Sequence, residues 1–266
     1  MAWHRHLIHL MLGLSLLFTF AARSADTILI VGDSQHPPFS YLDNGEPKGI
    51  YTDIVRMALE KMQPQDKVII ELYPWKRSIE MVRSGRANAI FPPHYFPLKR
   101  PYLSLYSQPL MVEYTSVFCN RKALENKGIE LSDSLQWPDD LMPAKFVLSR
   151  GVKMGGDQFW HAVEQRQVDV TEVNGPRNAI KMIVNGRRDC HINDRVTVEW
   201  YLKERHHNDK DNVVLAKIIA EEAGYLATSA LWNDVQSQPF IERFNEQISQ
   251  MINNGSVQAI IDEYVH

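Results

Sequence analysis

Twice in this chain three short apolar runs alternate with two stretches of helical periodicity, and no other feature restricts the fold as tightly. In the first half, residues 27–32 (TILIVG), 68–73 (VIIELY) and 87–91 (ANAIF) are short and apolar enough to be buried strands. Between them, 50–62 places Ile50, Ile54, Val55, Met57, Ala58 and Met62 at helical spacing, and 75–84 repeats the pattern through Ile79 and Val82. Gly49 and Asp53 suit a helix start, Gly85 a helix end, and Asp43-Asn44-Gly45 a hairpin turn. The second half repeats the order, with strands expected at 145–149, 168–173 and 189–193 and helices at 157–165 and 176–185. Each half is thus a βαβαβ unit, the half-unit of a doubly wound α/β lobe. A strand at 114–121 joins the halves. After a charged linker at 204–212 come strands at 213–218 and 224–229, then helices at 239–252 and 256–264. That order predicts a chain that passes between two lobes twice.

The N-terminus constrains the compartment. Arg5 and three histidines precede an apolar core at 10–20, and small residues follow at Ala21, Ala22, Ser24 and Ala25, the pattern of a secretory signal peptide over 1–25. The core is too short to span a bilayer of roughly 30 Å as a helix. An exported, periplasmic protein is expected. The formal charge of −3 becomes −5 once Arg5 and Arg23 leave with the leader, which argues against a nucleic-acid partner, since phosphate binding needs a basic face. Only Cys119 and Cys190 occur. In an oxidising compartment they are available for one disulfide, with buried free thiols as the alternative.

The stretch 85–110 (GRANAIFPPHYFPLKRPYLSLYSQPL) ends its apolar run at Pro92-Pro93, which remove two backbone donors and terminate the ladder. Ligands of open α/β sheets sit beyond the carboxyl ends of the strands, so the loop that follows is placed to carry binding groups, and it delivers Arg100. The alternative is a solvated loop cation beside Lys99. Signatures of catalysis or of a bound cofactor or metal are absent: there is no Gly-x-Ser-x-Gly elbow, no His-Glu-x-x-His, no phosphate-cradling glycine loop and no Cys/His metal spacing. The chain is therefore not expected to be an enzyme.

Several motifs, in order, resemble the bacterial extracellular solute-binding proteins of family 3, the amino-acid-type periplasmic receptors of ABC importers. They are Pro38-Phe39, then Gly49-Ile50-Tyr51-Thr52-Asp53, Gly85-Arg86-Ala87-Asn88-Ala89-Ile90, Arg100 ahead of Leu105-Tyr106-Ser107-Gln108-Pro109, and Gly186-Arg187-Arg188-Asp189 leading to Asp194. The resemblance covers essentially the whole mature chain. It implies the two-lobe periplasmic-binding-protein fold of type II, each lobe a doubly wound, mostly parallel sheet with flanking helices, with two crossover strands at the hinge. Lobe 1 would comprise 26–114 plus 223–266, and lobe 2 would comprise 115–222.

The same resemblance implies a small-molecule ligand in the interlobe cleft, hinge closure, a membrane ABC permease as partner and a monomeric protein. In the family the residue at Arg100 holds a ligand carboxylate and that at Asp194 accepts from the ligand ammonium. His36 and Trp75 match positions that flank the ligand side chain, and Phe39, Tyr95, Arg150 and Gly151 complete the expected ligand-binding set. The chain departs from the family by placing Pro92-Pro93-His94-Tyr95 where hydroxyls are usual. It also carries Arg150 and Lys153 in the second-lobe loop, which would favour a ligand with a second anionic group. The fold further implies that Cys119 and Cys190 lie on neighbouring strands. The alternatives are a ligand-sensing module for a membrane signalling partner and a dehydratase or lyase on the same fold.

Overall fold

The computed structural model describes residues 27–63, 67–205 and 210–266. The leader expected at 1–25, and residues 206–209 of the expected linker, lie outside the described residues. The first strand, β1 (Thr27–Asp33), alternates so that Ile28 and Ile30 enter one core cluster and Val31 the opposite one. A sheet covered on both faces requires this. A small hairpin sheet follows, β2 (Gln35–His36), β3 (Ser40–Asp43) and β4 (Glu46–Lys48), turning at Asn44 and Gly45 with φ of 51° and 88°. Helix α1 (Ile50–Met62) buries Ile50, Ile54, Val55, Ala58 and Leu59 along one face. Strand β5 (Lys67–Tyr73), helix α2 (Trp75–Arg83) and strand β6 (Ala89–Ile90) complete the βαβαβ unit, with β5 and β6 both parallel to β1.

Strand β7 (Leu103–Tyr106) then leads into β8 (Met111–Asn120), which belongs to a second sheet. After a short helix α3 (Arg121–Glu125) come β9 (Lys145–Ser149), α4 (Gly156–Glu164), β10 (Asp169–Val173), α5 (Pro176–Val184), β11 (Cys190–Asp194) and α6 (Arg195–Arg205). Strand β12 (Val213–Gly224) pairs antiparallel with β8 and returns the chain to the first sheet through β13 (Ala227–Ser229), followed by α7 (Asp234–Asn253) and α8 (Ser256–Val265). The sheet orders are β5-β1-β6-β13-β7 and β10-β9-β11-β8-β12, each a parallel trio extended by antiparallel strands. The second sheet is also clad on both faces, since Phe146 and Leu148 of β9 enter one cluster and Val147 the other. This is a two-lobe α/β fold whose crossovers are β8 and β12, and the boundaries expected near 114 and 222 fall within those strands.

Three elements differ from the sequence expectation. The strands expected at 213–218 and 224–229 are one twelve-residue strand, β12, plus β13, because register shifts at Leu215/Lys217 and Ile218/Ala220 break the alternation that would mark one long strand. Helix α7 begins at Asp234 rather than at Pro239, because Asn233 caps it by accepting from Val235 N at 2.9 Å and the proline is accommodated inside. Helix α6, absent from the expectation, follows β11 directly, capped by Asp194. Cys119 and Cys190 are paired in register between β8 and β11 and joined in a disulfide, with Cα atoms 4.0 Å apart.

Candidate ligand site

Two cavities meet at the β2 segment. The first, of about 310 Å³, lies beyond the carboxyl ends of β1 and β6, and its lining includes Asp33, His36, Trp75, His94, Arg100 and Glu113. The second, of about 420 Å³, has Gln35, His36 and Pro37 on one wall and Ser149, Arg150, Asn193 and Thr197 on the other. His36 and Gln35 line both, so the pair forms one cleft with the lobes on its two sides. The strand-end location follows from parallel sheets, whose loops gather at that edge.

Arg100 is held by a tight turn in which its backbone N–H bonds to Phe96 O at 3.0 Å, while Nη1 donates to the His94 carbonyl at 2.9 Å. Its guanidinium carbon lies 5.6 Å from the Phe96 ring centroid. Among the described residues no carboxylate pairs with it, so a half-buried guanidinium in the cavity wall retains donor capacity. Trp75, the first residue of α2, is half-buried in the same wall. His94 Nδ1 stands 3.0 Å from Glu222 Oε2. Burial holds His94 below its ordinary pKa, with Glu222 opposing and Arg100 reinforcing. His36 packs on Phe39 at 4.9 Å between ring centroids, and desolvation keeps it below its ordinary pKa against the pull of Asp33.

Glu113 reaches the same cavity from the crossover strand β8. Its Oε1 accepts from Tyr51 Oη at 2.5 Å. Burial pushes its pKa up to about 7, the Tyr51 bond opposing and the charges of Asp194 and Glu222 adding to the rise. Tyr51 can lie under β12 only because residue 224 is glycine, where a Cβ would collide with the phenol oxygen. The sequence expectation did not include Glu113. A lone acid within MVEYTSVFCN, an otherwise apolar and β-forming run, is the signal that marks it.

The remaining expected site residues are placed differently. Asp194 is 6% exposed, and its Oδ1 accepts from Thr197 N and its Oδ2 from Tyr114 N, both at 3.1 Å. It caps α6 and ties β11 to β8 instead of lining either cavity, and burial raises its pKa to about 6 against those backbone bonds. Phe39 is fully buried against His36 and Tyr51, so it supports the cleft from within the core. Tyr95 is 58% exposed and leans on Tyr106 and Tyr225, at ring-centroid distances of 4.9 and 6.1 Å, outside the cavity lining. Gly151 turns the chain with φ of 77° just after Arg150, whose exposed side chain borders the second cavity. Beside Arg150, the Ser149 Oγ is buried in that wall without a hydrogen-bond partner in the protein.

The cleft thus carries an unpaired guanidinium, an unpaired carboxylate, an aromatic wall and an orphan hydroxyl, the furniture of polar small-molecule capture. Among the described residues no cluster of three His, Cys, Asp or Glu side chains could hold a metal ion, and no helix is long and apolar enough to cross a membrane.

Comparison with known proteins agrees with this architecture. The family model described as bacterial extracellular solute-binding proteins, family 3, matches residues 28–266. No curated protein gave a match. Among solved structures, the chain resembles the second substrate binding domain of a putative amino acid ABC transporter from Streptococcus pneumoniae, with TM-score 0.68 and 15% identity over 90% of this chain and 100% of that one. It also resembles an ancestral cationic amino acid solute binding protein, with TM-score 0.66 and 19% identity over 90% and 96%. A histidine kinase sensor domain similar to periplasmic binding proteins matches with TM-score 0.58 and 21% identity over 90% and 96%.

Proposed function

The chain belongs to the bacterial extracellular solute-binding proteins, family 3, and from that premise we propose that it captures a small, polar, carboxylate-bearing, amino-acid-like solute in the periplasm and presents it to an ABC importer. The observation that carries this reading is Arg100: a half-buried guanidinium in the cavity wall, positioned by two backbone bonds and without an acidic partner among the described residues. A guanidinium donates two parallel hydrogen bonds to a carboxylate, which fixes both the position and the orientation of a ligand.

In this account lobe 1 (26–114 plus 223–266) binds first through Arg100 and Trp75. Lobe 2 (115–222) then closes over the ligand by bending β8 and β12, bringing up Ser149, Arg150 and Asn193. A ligand shifts that equilibrium only through contacts that are better in the closed form, so groups from both lobes are needed. The protein acts as a monomer and binds without turnover. A thermal-shift screen of amino acids, dicarboxylates and polyamines tests the reading. Stabilisation by a carboxylate-bearing compound is expected, and stabilisation by polyamines alone contradicts it.

A second reading keeps the binding step and changes the recipient: a sensing module whose closed state is read by a membrane signalling partner. The likeness to the histidine kinase sensor domain motivates it. Whether the purified protein stimulates a reconstituted permease's ATPase activity or a kinase's autophosphorylation separates the two.

A further inference from the structure

We propose that Glu113 is the acceptor for a cationic group on the ligand, so that the solute is a zwitterion held in one cavity between Arg100 and Glu113. This inference rests on the binding function proposed above and narrows its ligand class. Both residues line the 310 Å³ cavity. Neither forms an ion pair with the other or with any other described residue, since Arg100 donates to the His94 carbonyl and Glu113 accepts from the neutral Tyr51 phenol. Opposite charges left separately unpaired in one wall suit a molecule that carries both complements. A purely anionic solute would satisfy Arg100 and leave Glu113 repelled.

The surroundings of Glu113 sharpen the point. Asp194 and Glu222 both destabilise its ionised form, Glu222 from the position directly opposite on β12. A half-buried carboxylate with a single neutral donor and acidic neighbours is unfavourable unless a cation is supplied, and the cavity is the open side from which one can come. Asp194, by contrast, has both oxygens engaged by backbone N–H groups and lies outside the cavity lining. Glu113 also sits on a crossover strand. A charge pair formed there would act on the hinge itself, coupling recognition of the amine to lobe closure.

The test uses the full mature protein and a panel of the common L-amino acids, each matched with the carboxylic acid that lacks its amino group. Calorimetry gives the affinity ratio within each matched pair for the wild type, E113Q, D194N and R100A, and thermal melts confirm that each variant is folded. The expected wild-type ratio is at least about 30-fold in favour of the amine-bearing acid. E113Q should bring that ratio near one by weakening only the amine-bearing partner, while D194N preserves it. An unchanged ratio in E113Q, or collapse of the ratio in D194N instead, overturns the assignment of Glu113 while leaving the binding reading intact if R100A weakens both members of the pair. A wild type that binds no member of the panel, or an R100A variant with undiminished affinity, overturns the binding reading together with this inference.

Discussion

Glu113 and Glu222 face each other in register across β8 and β12, the two antiparallel strands by which the chain leaves and re-enters the first lobe. Like charges at opposed positions destabilise a strand pair. Here the ionised form of Glu113 is further disfavoured by burial, so the hinge holds a proton to about pH 7.

Stability should respond accordingly. The folded-state pKa of about 7 exceeds the ordinary value of 4.5, so the folded protein keeps the proton that the unfolded chain gives up. The stabilisation is full below about pH 4.5 and is lost as pH rises through 7, a change of up to about 3 kcal/mol. Urea titrations at pH 5 and pH 8 should show E113Q gaining on the wild type at the higher pH. A wild-type-to-E113Q difference that does not vary with pH would contradict this.

His191 acts in the opposite direction. It is fully buried on β11, with Nδ1 2.7 Å from the Val147 carbonyl and Nε2 3.2 Å from Asn193 Nδ2, and burial lowers its pKa to about 4. A depressed histidine contributes stability that is present above about 6.5 and is lost as pH falls toward 4, again about 3 kcal/mol. An NMR titration should find one imidazole that stays neutral down to about pH 4. Titration of His191 near 6.5 would rule the arrangement out.

The Cys119–Cys190 disulfide closes a separation of 71 residues within one sheet and lies at the end of β11 remote from Asp194 and the cleft. Replacing both cysteines by serine should lower stability by about 2–4 kcal/mol and leave ligand affinity unchanged. Denaturant unfolding paired with calorimetry checks both halves of that statement.

Phe39 and Tyr95 were both expected to touch ligand, and their placement separates them. Phe39→Ala should cost about 3–5 kcal/mol of stability through loss of a fully buried ring. Tyr95→Ala, at a site 58% exposed and outside the cavity lining, should change stability by less than about 1 kcal/mol and leave affinity within about twofold. A large affinity loss in Tyr95→Ala would mean that closure carries the ring into the cleft.

Much of the fold was legible because periodicity reports burial. Helix α1 matches its expected bounds because its apolar residues repeat at helical spacing, and β1, β5 and β9 are short apolar runs closed on both faces. Strand β12 was not legible, since its bulges break the alternation on which the inference depends. Helix α6 was hidden by Val196, Thr197 and Val198, which favour strands, and by Asp194, whose residue type suits a helix cap and a ligand anchor equally well. Arg100 could be found from its loop beyond a proline-terminated strand. Glu113 could not be found that way, because its importance comes from a partner 62 residues away, Tyr51, and from the cross-strand register with Glu222.

The central claim is that Arg100 anchors a ligand carboxylate, and the most direct test is a calorimetric titration of the wild type and R100A with the best compound from the thermal-shift screen. The account expects affinity to fall at least about 100-fold in R100A, as for loss of a charge-assisted bidentate pair, with a melting temperature within a few degrees of wild type. Equal affinity in the two proteins would contradict it.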